Sequence, residues 1–145
     1  MNKIYLAYGS NLNLRQMANR CPSANILGTC EVKDYELVFR GRNNRAVANI
    51  EPCEGENVQA LLWEIEPSDE EELDIYEGYP TLYRKEIITV EFEGDDIEVM
   101  AYVMNEGKPY NLPSEYYYNV ILEGYITSGF DEEELKKAVR NMKYK

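Results

Sequence analysis

The chain contains no histidine, which narrows the acid–base chemistry open to it. Ser-His and Cys-His nucleophile pairs need an imidazole as proton carrier, so a carboxylate is left to do that work in any enzymatic step. Among 27 acidic residues, position has to single one out. Glu77 closes the segment Leu73-Asp74-Ile75-Tyr76-Glu77 and precedes Gly78-Tyr79-Pro80. Leu73, Tyr76 and Glu77 fall at i, i+3 and i+4 and share one helical face; Glu70 lies slightly further from its centre and Asp74 well outside. Glu77 is therefore expected to point toward protein, where desolvation disfavours the charged form and raises the pKa toward that of a general base at neutral pH. Ile75 on the opposite side implies that the helix is partly covered there too. The plain alternative is a solvated glutamate in a last helical turn.

A second chemical feature lies near the start. The apolar run Ile4-Tyr5-Leu6-Ala7 stops at Tyr8-Gly9-Ser10-Asn11, and a helix-like segment follows. Gly9 opens backbone angles closed to other residues, while Ser10 and Asn11 supply side-chain hydrogen bonds at a turn. Backbone N–H groups beyond the end of a strand, free of any ladder and near the start of a helix, suit an anionic or carbonyl oxygen. On its own the turn is more simply read as a tight connection.

These residues need elements to hold them. Asn13 to Arg20 reads as a short helix stopped by Cys21-Pro22, Ile26 to Phe39 as a strand, and Ala46 to Ile50 and Val58 to Ile65 as two more. Arg40-Gly41-Arg42-Asn43-Asn44-Arg45, the one marked basic cluster, is explained by an exposed hairpin turn. Pro67, Ser68 and Glu71 resemble a capping box opening a helix that ends at Gly78. Tyr83 to Phe92 and Ile97 to Met104 flank Gly94-Asp95-Asp96, a hairpin signal. Pro113-Ser114 opens an aromatic helix ending near Gly129, and Asp131 and Glu134 begin the last one. Strands dominate the middle and helices the end, so the expected class is α+β with a mixed, barrel-like sheet in a single domain over residues 1–145.

Composition excludes several functions. A formal net charge of −12 opposes nucleic-acid and acidic membrane surfaces. No apolar stretch approaches a membrane span and the first residues lack the regions of a signal peptide, which places the chain in the cytoplasm by expectation. Cys21, Cys30 and Cys53 are odd in number and far apart, fitting reduced, buried thiols. With no Cys-x-x-Cys and no histidine, no metal site is expected. The acidic runs at 69–72 and 131–134 suit first helical turns.

Tyr8-Gly9-Ser10-Asn11-Leu12, then Leu73 to Pro80 with Tyr83, then Pro113-Ser114 with Tyr117, occur in that order. Together they make the chain resemble the gamma-glutamylcyclotransferase family, including its gamma-glutamylamine-directed members. The resemblance implies a mixed β-barrel flanked by helices, no cofactor, and conversion of gamma-glutamyl amines or peptides to 5-oxoproline and a free amine. It places the family's catalytic glutamate on Glu77 and its substrate-holding loop on Tyr8, Gly9, Ser10, Asn11 and Leu12. Tyr83 and Tyr117 match pocket tyrosines. The substrate's own α-amine is then the nucleophile, which removes the need for a protein nucleophile. A non-catalytic small-molecule-binding or protein-interaction module on the same fold is the alternative. Tyr5, Tyr35 and Tyr102 are expected to pack the core. The leaving amine is open between an amino acid, a lysine-type amine, a polyamine and a biosynthetic intermediate, with Arg40 to Arg45 a candidate contact; oligomeric state is not readable.

Overall fold

The computed structural model describes residues 2–145. Its framework is a five-stranded mixed sheet in the order β2-β3-β1-β5-β4. The strands are β1 (Lys3–Ala7), β2 (Asn25–Arg40), β3 (Val47–Ile65), β4 (Tyr83–Phe92) and β5 (Asp95–Met104). The helices are α1 (Leu14–Arg20), α2 (Pro67–Glu77), α3 (Glu115–Ser128) and α4 (Glu132–Asn141). β1 is central: it runs antiparallel to β3, with Tyr5 opposite Trp63, and parallel to β5, with Tyr5 opposite Met100. Its continuous apolar sequence follows from being paired on both sides and covered on both faces.

The sheet is not closed, so the barrel read from the sequence is corrected to an open α+β sheet. β2 and β4 are its two edges. They approach through side chains, with the Phe92 ring so close to Gly28 that a Cβ there would lie 2.9 Å from Cε1.

Three element boundaries differ from expectation. Residues 51–57, too polar to read as a strand, join the two expected strands into a single β3 of 19 residues. They extend the hairpin with β2 past a bulge at Asp34, whose carboxylate accepts the Gly55 N–H at 3.0 Å. Both faces are largely solvated there, so apolar alternation is missing. The α2 cap is Glu66 rather than Ser68, with Pro67 at the first helical position and the buried Asp69 carboxylate accepting the Glu66 N–H at 2.9 Å. Ser23 Oγ donates to both Asp69 oxygens at 2.8 and 2.9 Å, which holds the box in place. The β4–β5 turn is Glu93-Gly94, both at positive φ (52° and 85°), so Asp95 and Asp96 belong to β5.

The core gathers Leu6, Leu12, Phe39, Ile50, Leu62 and Leu73 with Ile121 and Leu135 from α3 and α4, all fully buried. Cys21 and Cys30 are buried free thiols and Cys53 is half-buried. Among the described residues no helix is long and apolar enough to cross a membrane.

Candidate active site

Beyond the C-terminal end of β1 the chain makes a 3-10 turn, Ser10–Leu12, and then α1, capped by Asn13, whose side chain accepts the Gln16 N–H at 3.1 Å. Within the turn the N–H groups of Leu12 and Asn13 donate to Gly9 and Ser10 carbonyls at 3.0 Å. Those of Gly9, Ser10 and Asn11 have no protein acceptor among the described residues. Gly9 has φ −121°, outside the left-handed region. Its small size is required by space: a Cβ would lie 3.1 Å from Ala48 Cβ and 3.5 Å from the Tyr117 hydroxyl.

The turn is anchored from below. Trp63 Nε1 donates to the Asn11 carbonyl at 3.2 Å, Asn11 Nδ2 donates to the Tyr5 hydroxyl at 2.9 Å, and Arg20 donates to Asn11 Oδ1 at 2.6 Å. Arg20 also donates to Gln16 and stacks over the Tyr76 ring, 3.5 Å from its centroid. Ser10 Oγ and the Tyr76 hydroxyl share a hydrogen bond of 2.8 Å, which ties the turn to α2.

Glu77 is the last residue of α2, and Gly78 ends the helix in the left-handed conformation (φ 66°). The Gly78 and Tyr79 N–H groups return to the Ile75 and Asp74 carbonyls at 3.2 and 2.9 Å, a C-cap that redirects the chain sharply. The Tyr79–Pro80 peptide is cis. Asn105 Nδ2 donates to the carbonyls of Pro80 and Thr81 at 2.8 and 2.9 Å, so the segment after Glu77 is fastened to the end of β5. The helix itself is fixed on its other side. Lys85 pairs with Glu70 (2.6 Å) and Asp74 (3.0 Å), and the Tyr102 hydroxyl donates to Asp74 at 2.6 Å. Leu73 is fully buried, whereas Ile75 is 76% exposed, so the second covered face expected from Ile75 is absent.

These elements enclose a cavity of about 230 Å³ whose wall includes Tyr8, Gly9, Ser10, Asn11, Glu77, Tyr83 and Tyr117. Seven of the eight residues singled out in the sequence thus lie together. Leu12 does not line it: its side chain is fully buried and packed beneath Gly124 of α3, and its N–H is used within the turn. Residues not foreseen in the wall are Val47, Ala48, Tyr76 and Leu82, together with Tyr5 and Tyr102, which were expected to serve only the core. Both tyrosines are indeed buried, but one edge of each also forms cavity wall.

The tyrosine hydroxyls are held by fixed partners. Tyr8 donates to the Tyr102 carbonyl (2.6 Å), Tyr83 donates to the Ala48 carbonyl (2.5 Å), and Tyr117 accepts the Ala48 N–H (3.0 Å). Burial raises the pKa of all three, with the Glu77 charge adding to the effect, so they stay neutral. Against this aromatic wall the Glu77 carboxylate makes no hydrogen bond or ion pair with any described residue. Desolvation pushes its pKa up to about 7, with the nearby Arg20 guanidinium acting in the opposite direction. The residue as a whole is half-buried, because the cavity mouth leaves water a path to it. The arrangement combines a carboxylate able to exchange a proton near neutral pH with three backbone donors and a rigid aromatic enclosure.

The pattern is shared with known proteins. The family model described as gamma-glutamyl cyclotransferase, AIG2-like, matches residues 5–119. A gamma-glutamylcyclotransferase of Bos taurus is 31% identical over 92% of this chain and 76% of its own. One of Mus musculus is 31% identical over 98% of this chain and 81% of its own. A solved structure of a gamma-glutamyl cyclotransferase superposes with a TM-score of 0.84 at 26% identity, covering 95% of this chain and 86% of the other. With a family model spanning most of the chain and relatives aligned along nearly all of it, the protein belongs to the gamma-glutamylcyclotransferase family.

Proposed function

We propose that the protein acts as a single domain that converts a small gamma-glutamyl amine or peptide to 5-oxoproline and the free amine, with Glu77 as the proton carrier. The observation that supports it best is the unpaired Glu77 carboxylate, its pKa raised to about 7, on the wall of the same small cavity as Gly9, Ser10 and Asn11, whose N–H groups have no acceptor among the described residues.

The substrate's α-ammonium loses a proton to Glu77, and the resulting amine attacks the gamma-carbonyl carbon. A new C–N bond closes the five-membered lactam as the old amide C–N bond breaks. The attacking nitrogen gives up a second proton as the lactam forms, and Glu77 passes both, one after the other, to the departing nitrogen, which leaves as an ammonium, so the enzyme ends in its starting state. The N–H groups of residues 9–11 hold the α-carboxylate or the oxygen on which charge develops. Leu12 contributes by seating the turn in the core and not by contact. Tyr83, Tyr117 and Tyr8 hold the gamma-glutamyl chain folded so that amine and carbonyl meet, the proximity contribution to the rate.

Incubation with a panel of gamma-glutamyl amines and dipeptides, with 5-oxoproline as the readout, tests this. We expect turnover of at least one member, with kcat/KM rising as pH passes about 7 and a drop of about 10²–10⁴-fold in Glu77→Gln. Silence across the panel, or full activity in that variant, refutes the reading. Binding of the panel without 5-oxoproline release would instead favour the binding module.

A further inference from the structure

The β2–β3 turn carries a feature that the cyclotransferase chemistry does not use. Arg42, Arg45 and Lys108 line a groove of about 480 Å³, and none of the three makes an ion pair or side-chain hydrogen bond with any described residue. In a chain of net charge −12 with 15 basic residues, Lys3, Arg15, Arg40, Arg84, Lys85, Lys136, Lys137 and Lys145 have carboxylate partners. Of those without one, Arg42, Arg45 and Lys108 are gathered in a single groove.

The groove is built, not a chance gap between loops. Gly41 N–H donates to the Pro109 carbonyl at 2.9 Å, Asn111 Nδ2 donates to the Gly41 carbonyl at 2.7 Å, and Ala46 N–H donates to the Leu112 carbonyl at 3.2 Å. Arg40 stacks on the Tyr110 ring, 3.7 Å from its centroid, and pairs with Glu51. Its guanidinium is committed to holding the two segments together. Arg42 and Arg45 are left exposed on a turn whose backbone is fixed. Gly41 sits at φ 138°, and a Cβ there would lie 3.2 Å from Ala46 Cα, so the close approach of the two turn ends depends on a glycine.

The groove and the catalytic cavity share two wall residues, Val47 and Leu82. A molecule too long for the cavity that leaves it past this rim enters the groove directly. The gamma-glutamyl group is committed to the turn and to Glu77, so the part crossing the rim is the leaving amine. We propose that the Arg42–Arg45–Lys108 groove is the leaving-group subsite, and that it selects gamma-glutamyl conjugates whose amine carries an anionic group at its far end. This rests on the cyclotransferase reading and narrows it. A cationic polyamine is disfavoured there, and a carboxylate or phosphate is favoured, with guanidinium groups able to bind either through paired N–H donors.

The test compares four conjugates by 5-oxoproline release: gamma-glutamyl-glutamate, gamma-glutamyl-phosphoethanolamine, gamma-glutamyl-butylamine and gamma-glutamyl-putrescine. For the unaltered protein we expect kcat/KM to be about tenfold higher for at least one anionic conjugate than for the neutral one, mainly through KM, with the cationic one lowest. Which anion gains identifies the headgroup. In the Arg42→Gln, Arg45→Gln double variant the anionic-to-neutral ratio should fall to within about twofold of unity, and 0.5 M salt should compress the ratio in the unaltered protein. Circular dichroism checks that the variant is folded, as expected for exposed side chains. Equal turnover of neutral and anionic conjugates, or an unchanged ratio in the variant, overturns the subsite while leaving the cyclotransferase reading intact. No release from any of the four overturns both.

Discussion

At the scale of single residues, the desolvated charge of Glu77 opposes folding. Its pKa rises from 4.5 to about 7 on folding, so the native state holds the proton more tightly than the unfolded chain. Its unfavourable effect on stability is absent below pH 4.5, grows as pH rises from there to about 7, and levels off above. At ~1.4 kcal/mol per pKa unit it costs at most about 3 kcal/mol, less whatever water at the cavity mouth relieves. Glu77→Gln should therefore be more stable than the unaltered protein at pH 8, by about 1–3 kcal/mol in urea denaturation, and the gain should vanish near pH 4. Equal stability at both pH values would mean the carboxylate is effectively solvated. The sequence exposed this residue because its helical face and the Gly-Tyr-Pro exit are local features. It could not expose Val47, Ala48 or Leu82, ordinary apolar residues that become cavity wall only through the pairing of distant strands.

The elements succeed by seating one upon another. Gly124 in α3 lies against the 3-10 turn, where a Cβ would fall 2.6 Å from Leu12 Cβ, 2.7 Å from its carbonyl carbon and 2.8 Å from its carbonyl oxygen. Alanine is the better helix former by up to ~1 kcal/mol, but the clash is with backbone and cannot be relieved by a rotamer. We expect Gly124→Ala to lose about 1–3 kcal/mol of stability and to reduce 5-oxoproline release by displacing Gly9 to Asn11; a stabilised, fully active variant would contradict this. The same dependence on neighbours explains which boundaries were legible. The Ser114 cap and the Gly129 stop of α3 are stated by local chemistry. The Glu66 cap of α2 was hidden because its partner Asp69 is selected by Ser23, 46 residues away.

On the scale of the whole molecule, the dominant charge is negative. The net charge of −12 repels itself in the compact state, so moderate salt should stabilise the protein, raising Tm by a few degrees between 10 and 200 mM NaCl. A Tm independent of salt would show that local ion pairs such as Lys85 with Glu70 and Asp74 offset the repulsion. The α+β class and the order of the motifs could be read from sequence, whereas the openness of the sheet could not, because closure depends on whether β2 and β4 exchange backbone bonds or only side chains. The packing of Gly124 onto Leu12 also sets a timetable. A ribosome makes the turn at residues 9–12 well before Tyr117 and Gly124, which share its cavity wall and seat it. A nascent chain therefore carries the turn for a time without the surface that holds it in place.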